Sequence, residues 1–311
     1  MTVQHKPRVV NGILLLDKPS GMSSNAALQV VKRLYRARKA GHTGSLDPLA
    51  SGMLPICLGE ATKFAGFLLD ADKRYRFVAK FGTVTSTGDS EGDVLCTFAV
   101  PPLMPHTVVD ALARLTGTIQ QLPPMYSALK HNGQRLYQLA RQGQVVERQP
   151  RSITVHELRL LTLDDDQVEC DVHCSKGTYV RTLATDLGEL LGCGAHIVAL
   201  RRTGVAPYDS NAMVSLDELE KRVEQGNESL DALLLPTDSA LTTWPVVQVT
   251  EAMAHSLSQG QSIRLMSADI KPGRVRLYQA ERFLGVGEIM EDERVVPRRL
   301  INTQSLNGVR S

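Results

Sequence analysis

A chain of 311 residues is too long for one small core and too short for three ordinary domains, so a large body carrying a smaller appendage is expected. Thirty-five Lys and Arg against 33 Asp and Glu leave a net charge of +2, so any case for a polyanionic partner rests on where the charges lie. Five cysteines form no CxxC pair, and no apolar run reaches the roughly 18 residues of a membrane span, so free thiols in a cytoplasmic protein without membrane attachment are expected.

After a polar tail over residues 1–9, Gly12 to Leu16 reads as a buried strand, and Asp17-Lys18-Pro19-Ser20-Gly21 as the turn that stops it. Ser23 or Ser24 can cap a helix in which Ala27, Leu28, Val31 and Leu34 recur at helical spacing, with Gly41 as its end. Lys32, Arg36 and Lys39 would then share one face, which alone reads as a solvated flank suited to the helix C-terminus. Residues 18–46 contain no acid at all, and this basic run ends on a single carboxylate, Asp47, in the loop Gly41-His42-Thr43-Gly44-Ser45-Leu46-Asp47-Pro48. An acid set in a field that attracts phosphates is best explained if it reacts once the polyanion has docked. The competing reading of an Asp-Pro pair is a helix N-cap followed by proline.

Met53 to Leu58 reads as a second buried strand and Glu60 to Leu69 as a short helix. Tyr75, Phe77, Ala79 and Phe81 alternate along one strand face; Tyr75 is either a rim aromatic of the core or a ring offered to an unstacked base. A helix is expected over Thr107 to Leu115. From Ala111 to Val146 acids are again absent, while Arg114, Lys130, His131, Arg135, Arg141, Tyr126 and Tyr137 are present. Pro123-Pro124, Asn132-Gly133 and Gln142-Gly143 break this segment into a protruding loop with a helical piece around Arg135 to Arg141, either an arm for RNA or a mobile surface loop.

Strands follow near Ile153 to Leu163 and Val168 to Ser175. Val168, Cys170, Val172 and Cys174 alternate onto one face and His173 onto the other, which favours a core strand over a metal-ligand set. Lys176 to Thr182 opens a helix running through Leu191, and Arg181 in its first turn is a cation where the helix dipole disfavours one; it either meets a carboxylate or phosphate or sits in a surface salt bridge. A strand is expected over His196 to Arg202. Beyond an irregular stretch with a helix near Leu216 to Val223, short strands and glycine turns from Val246 onward suggest a small β domain with nine basic against seven acidic residues. P-loop, dinucleotide-binding GxGxxG, HExxH and GxSxG motifs are all missing, which leaves carboxylate chemistry without a cofactor or metal.

The segments GHTGSLDPLASGMLPICLGEATK, DKRYRF and CSKGTYVRTLATDLG closely resemble, in order, the signature motifs of the TruB family of bacterial tRNA pseudouridine-55 synthases, and the similarity runs from about residue 10 to the C-terminus. The resemblance implies an α+β pseudouridine synthase fold, with a central, mostly antiparallel mixed sheet flanked by helices over residues 10–245. It also implies a thumb-like insertion at about 122–150 and a PUA-like RNA-binding domain over 246–311. It implies conversion of uridine 55 in the T-loop of tRNA to pseudouridine by a monomer, with Asp47 as the catalytic aspartate. His42 would help hold flipped-out nucleotides, Tyr75 would stack on the target base, Arg181 would pair with Asp47, and Tyr179 and Leu200 would line the pocket. Extruding a base from a folded loop requires such an aromatic and apolar bed. One departure is Ser86, where the family more often carries aspartate.

Overall fold

The computed structural model describes residues 6–265 and 271–302. In chain order, strand β1 (Gly12–Lys18) leads into helix α1 (Ser24–Leu34), then β2 (Ala40–His42), β3 (Ser51–Leu58), α2 (Ala65–Asp70), β4 (Lys73–Phe81) and the hairpin β5 (Thr83–Thr85) with β6 (Val94–Thr97). Helix α3 (Pro105–Arg114) and β7 (Gly117–Gln121) precede a small arm made of β8 (Lys130–His131), β9 (Gln134–Arg135) and α4 (Leu136–Arg141). The long strands β10 (Arg151–Leu163) and β11 (Gln167–Cys174) are followed by α5 (Val180–Leu190), β12 (Ala195–Val205), β13 (Val214–Ser215), α6 (Leu216–Glu224) and α7 (Asn227–Asp231). The C-terminal part holds β14 (Val246–Gln248), α8 (Glu251–Ser258), β15 (Ile263–Arg264), β16 (Gly273–Gln279), β17 (Arg282–Ile289) and β18 (Arg294–Leu300).

Nine strands form one sheet in the order β13-β1-β3-β12-β4-β11-β10-β7, with β2 on the free stretch of β3. Only the β1–β13 and β3–β12 pairs are parallel. Seven of the eight residues of β3 are buried, which is why its sequence is continuously apolar rather than alternating. On β4 and β11 the alternation is strict: Phe77, Ala79 and Phe81 face the same core as Val168, Cys170, Val172 and Cys174, and α1, α3 and α5 cover it. All five cysteines are free thiols.

The helix expected to reach Gly41 stops at Leu34. Tyr35 is fully buried with its hydroxyl donating to the carbonyl of Leu230, and Arg36 turns into the left-handed region at φ 49°, a conformation that ends a helix. Arg36 and Lys39 are therefore not on the α1 face. The helix expected over Glu60 to Leu69 is split into a 3-10 turn, Gly59–Lys63, and α2.

A second sheet, ordered β14-β16-β17-β18-β15, forms a β-rich C-terminal domain with its own core around Val275, Leu277, Ile289 and Val295. It meets the large sheet's domain through a separate cluster of Phe64, Leu241, Val286 and Ile301. Phe67 and Trp244 pack edge to face there at 4.7 Å, with the Arg274 guanidinium over both rings at 5.2 and 5.5 Å.

Candidate active site

No helix follows Asp47, so its carboxylate is not spent as an N-cap. The loop that carries it is pinned from both sides. The Ser24 hydroxyl, at the start of α1, bonds both the N–H and the carbonyl of Leu46, at 2.7 and 3.0 Å. The Ser20 hydroxyl donates to the carbonyl of Leu49, and the N–H of Gly21 to that of Pro48, each at 2.8 Å. Behind the loop lies Arg202 on β12, 1% exposed, whose Nε donates to the carbonyl of Met53 at 2.6 Å and whose charge acts on the Tyr75 hydroxyl.

Arg181 is placed by the first turn of α5, where the sequence offered either a partnered cation or a surface ion pair. It is 5% exposed, and it is the partner of Asp47: its Nε lies 2.8 Å from Asp47 Oδ2 and 3.7 Å from Asp89 Oδ2. Its two terminal nitrogens donate to the carbonyls of Thr87 and Tyr126, both at 2.7 Å. Two carboxylates and two carbonyls satisfy a charge whose burial would otherwise cost several kcal/mol. They also fix the fork in one orientation, so the Asp47 carboxylate, 41% exposed as a side chain, is held in one pose with one side open to solvent.

Burial pushes the Asp47 carboxyl above its ordinary pKa; Arg181 and Lys18 pull it back, while Asp89 pushes it further up. Lys18 is fully buried, donates to the carbonyls of Pro19 and Met22 at 2.8 and 2.6 Å, and is brought down to about 8, chiefly by burial. The site thus holds two groups whose environments move their pKa values toward neutrality, the usual signature of a reacting centre.

The remaining sequence-designated residues converge on this point to different degrees. Tyr75 lies opposite Arg202 across the β4–β12 pair, and its phenol is raised above the ordinary value, by burial first and partly by the charge of Asp47. Tyr179 caps α5: its backbone N–H donates to Gln121 Oε1 at 2.8 Å and its carbonyl accepts from Gln121 Nε2 at 3.1 Å. Burial raises its hydroxyl above the ordinary value, with the charge of Arg181 pulling it back and that of Asp47 adding to the rise. His42 ends β2 with a buried Nδ1 that has no partner; burial and then the charges of Arg202 and Arg135 keep its imidazole neutral to lower pH than usual. Leu200, 8% exposed, packs in the core cluster that also includes Leu46, Leu49 and Tyr75, and lines a cavity of about 350 Å³ together with Leu49, Ser51 and Phe77. Asp47 and Arg181 are in direct contact, the phenols of Tyr75 and Tyr179 feel the charge of Asp47, His42 feels that of Arg202, and Leu200 joins through apolar packing.

Sequence reasoning missed Asp89 and Arg202, and it did not place Lys18 in the site. Asp89 is 3% exposed; its Oδ1 accepts from the Thr87 hydroxyl at 2.5 Å and from the Glu91 N–H at 3.1 Å, which turns Oδ2 toward Arg181. Only the Thr-Gly-Asp turn at residues 87–89 signalled a fixed carboxylate. A carboxylate held by a guanidinium beside an aromatic ring and an apolar wall can bind a planar base out of its stack and do acid–base or nucleophilic work at the attached sugar.

Family models match nearly the whole chain: "TruB family pseudouridylate synthase (N terminal domain)" over residues 32–180, "tRNA pseudouridylate synthase B C-terminal domain" over 181–242, and "Pseudouridine synthase II TruB, C-terminal" over 245–301. The chain is 54% identical over 297 residues to the tRNA pseudouridine synthase B of Nitrosococcus oceani, covering 95% of this chain and 96% of that one. It is 51% identical over 307 residues to the corresponding protein of Coxiella burnetii, covering 97% and 99%. Among solved structures, a Cbf5-Nop10-Gar1 complex contains a chain with TM-score 0.73 at 23% identity, covering 97% of this chain and 90% of that one, which shows the shared fold.

Proposed function

The chain belongs to the TruB family and is a tRNA-modifying isomerase, a pseudouridine synthase; on that premise we propose that the uridine it converts is position 55 of the T-loop, with Asp47 as the reacting residue. The observation that carries this reading is the 2.8 Å contact between Arg181 Nε and Asp47 Oδ2, with the Asp47 side chain 41% exposed to solvent. The reaction breaks the bond between N1 of uracil and C1′ of the ribose, turns the base, and joins C5 to C1′; the hydrogen leaving C5 goes to solvent and one returns to N1. Atoms and electrons balance without an oxidant or a cofactor.

In this scheme the Asp47 carboxylate acts at the sugar-bearing end of the nucleoside while Arg181 keeps it ionised and still. Tyr75 supplies the ring that replaces the stacking lost when the base leaves the loop, and Leu200 and Tyr179 provide the apolar walls. His42, neutral and with one free nitrogen, is suited to a hydrogen bond from or to a displaced nucleotide. The arm over 122–150 is read as a clasp on the RNA, because the Tyr126 carbonyl at its base accepts from Arg181 directly, at 2.7 Å. The domain over 246–311 is read as PUA-like and RNA-binding, supported by Arg274, Arg298, Arg299 and Lys63 around the groove where it meets the large domain. The activity is assigned to a monomer in the cytoplasm.

A T-arm stem-loop carrying tritium at C5 of its uridines tests the substrate assignment. Release of one equivalent is expected from the wild-type hairpin, and none from a hairpin with cytidine at position 55. Equal release from both hairpins would move the reaction to another uridine.

A further inference from the structure

On the face of the large sheet away from Tyr75, three donor groups meet that play no part in the site above. His156 of β10 and His173 of β11 approach with ring centroids 4.7 Å apart. Asp72, in the turn ahead of β4, places Oδ2 at 3.1 Å from His156 Nε2 and 4.0 Å from His173 Nε2. One donor atom from each residue lies within 4.8 Å of the others, and among the described residues no other set of three His, Cys, Asp or Glu does so. We infer that Asp72, His156 and His173 form a surface site for one divalent transition ion of the zinc, cobalt or nickel class.

The backbone brings these groups together by a specific device. Val155 pairs with Cys174 and Glu157 with His173, so His156 is the extra residue of a β-bulge. In a bulge two residues oppose one. Both His156 and Glu157 therefore lie against His173, and Asp72 closes the third side; its main-chain carbonyl is fixed by the N–H of Ala206 at 3.0 Å. Val155 and Cys174, on the other face, are buried in the core, so the strands themselves cannot shift far.

Donor chemistry selects the ion. Two imidazoles and one carboxylate suit borderline divalent metals; calcium and magnesium prefer all-oxygen shells, and monovalent copper prefers sulfur. Donors about 2.1 Å from a tetrahedral centre stand about 3.4 Å apart; the 3.1 Å pair already fits, and the 4.0 Å pair and the pair of imidazoles, within 4.8 Å, close up by side-chain rotation. His156, His173 and Asp72 side chains are 37, 26 and 42% exposed, which gives them that freedom and leaves a fourth position to water. Arg74 is a cation beside the cluster, and Glu157 engages it at 3.7 Å as well as Arg159 at 2.9 Å. A bound ion would tie the start of β4 to β10 and to the end of β11, without touching substrate.

The test is a calorimetric titration of untagged, full-length protein with Zn2+ at pH 7.5, in a Cys96→Ser background that removes the exposed thiol. One ion per chain is expected, with affinity at least tenfold weaker in His156→Ala, in His173→Ala and in the nearly isosteric Asp72→Asn. Co2+ in place of Zn2+ should give visible d–d absorption that the double variant His156→Ala/His173→Ala lacks, while pseudouridine formation by that variant stays at the parent level. No one-to-one binding by the parent, or equal binding by parent and double variant, would overturn the proposal.

Discussion

The Nη2 of Arg202 donates to the carbonyl oxygen of Gly44 at 3.0 Å, three residues ahead of Asp47. Through Met53 the same guanidinium holds the far side of the loop, so one buried side chain fixes both ends of the segment carrying the carboxylate. Replacing Arg202 by Met would leave these carbonyls without their donor and loosen the loop. We expect a loss of about 3 kcal/mol in stability, read by chemical denaturation, and a lower kcat with a smaller change in KM.

Asp89 raises the Asp47 carboxyl through like charge, and burial, the larger cause, raises it as well. The acidic limb of the rate profile should therefore lie above the ordinary carboxylate pKa. Asp89→Asn removes the like charge, so Asp47 stays ionised to lower pH and the limb should move to lower pH. The variant should also turn over more slowly, because Arg181 loses one of the groups that orients it. A pH–kcat series on both proteins measures this, and a limb that stays put would place its origin in another group.

Gly52 adopts φ 97°, and a β-carbon there would stand 2.2 Å from the carbonyl oxygen of Arg202, across the parallel β3–β12 contact. Main chain on both sides leaves nothing flexible to yield. Gly52→Ala should cost upwards of about 3 kcal/mol, visible as a fall of many degrees in Tm.

Asp186 on α5 is pushed up to about 6, by burial and then by Glu189. Its ionised form is thus disfavoured in the folded state, so the native protein holds its proton more tightly than the unfolded chain does. Stability from this group is complete below about pH 4 and is lost as pH rises through 6. Asp186→Asn should stabilise the protein at pH 7.5, by about 1 kcal/mol after allowing for solvent screening of a half-buried group, and change little at pH 4.

The pairing of Asp47 with Arg181 was legible because charge pattern is a local property: one acid after an acid-free basic run singles out Asp47, and a cation at a helix N-terminus singles out Arg181. Strands β1, β3, β4, β10, β11 and β12 were legible for the same reason, since their apolar runs and alternations persist over many residues. What escaped notice depends on contacts distant in sequence. Arg202 reads as one more basic residue in a strand until Gly44 and Met53, some 150 positions away, are seen to need a donor. The early end of α1 comes from the buried Tyr35 reaching Leu230, which no local signal carries. Helix α8 did have a local mark in Thr250, whose hydroxyl accepts from Met253, but eight residues among glycine turns gave too little periodicity to register.

The most direct measurement compares wild type with Asp47→Asn on one C5-tritiated T-arm hairpin, following tritium release and RNA binding together. The substitution removes one negative charge beside Arg181 and Lys18, so binding should hold or tighten, while release should fall by at least ~10⁴-fold. Release at an undiminished rate by Asp47→Asn would show that another group does the chemistry.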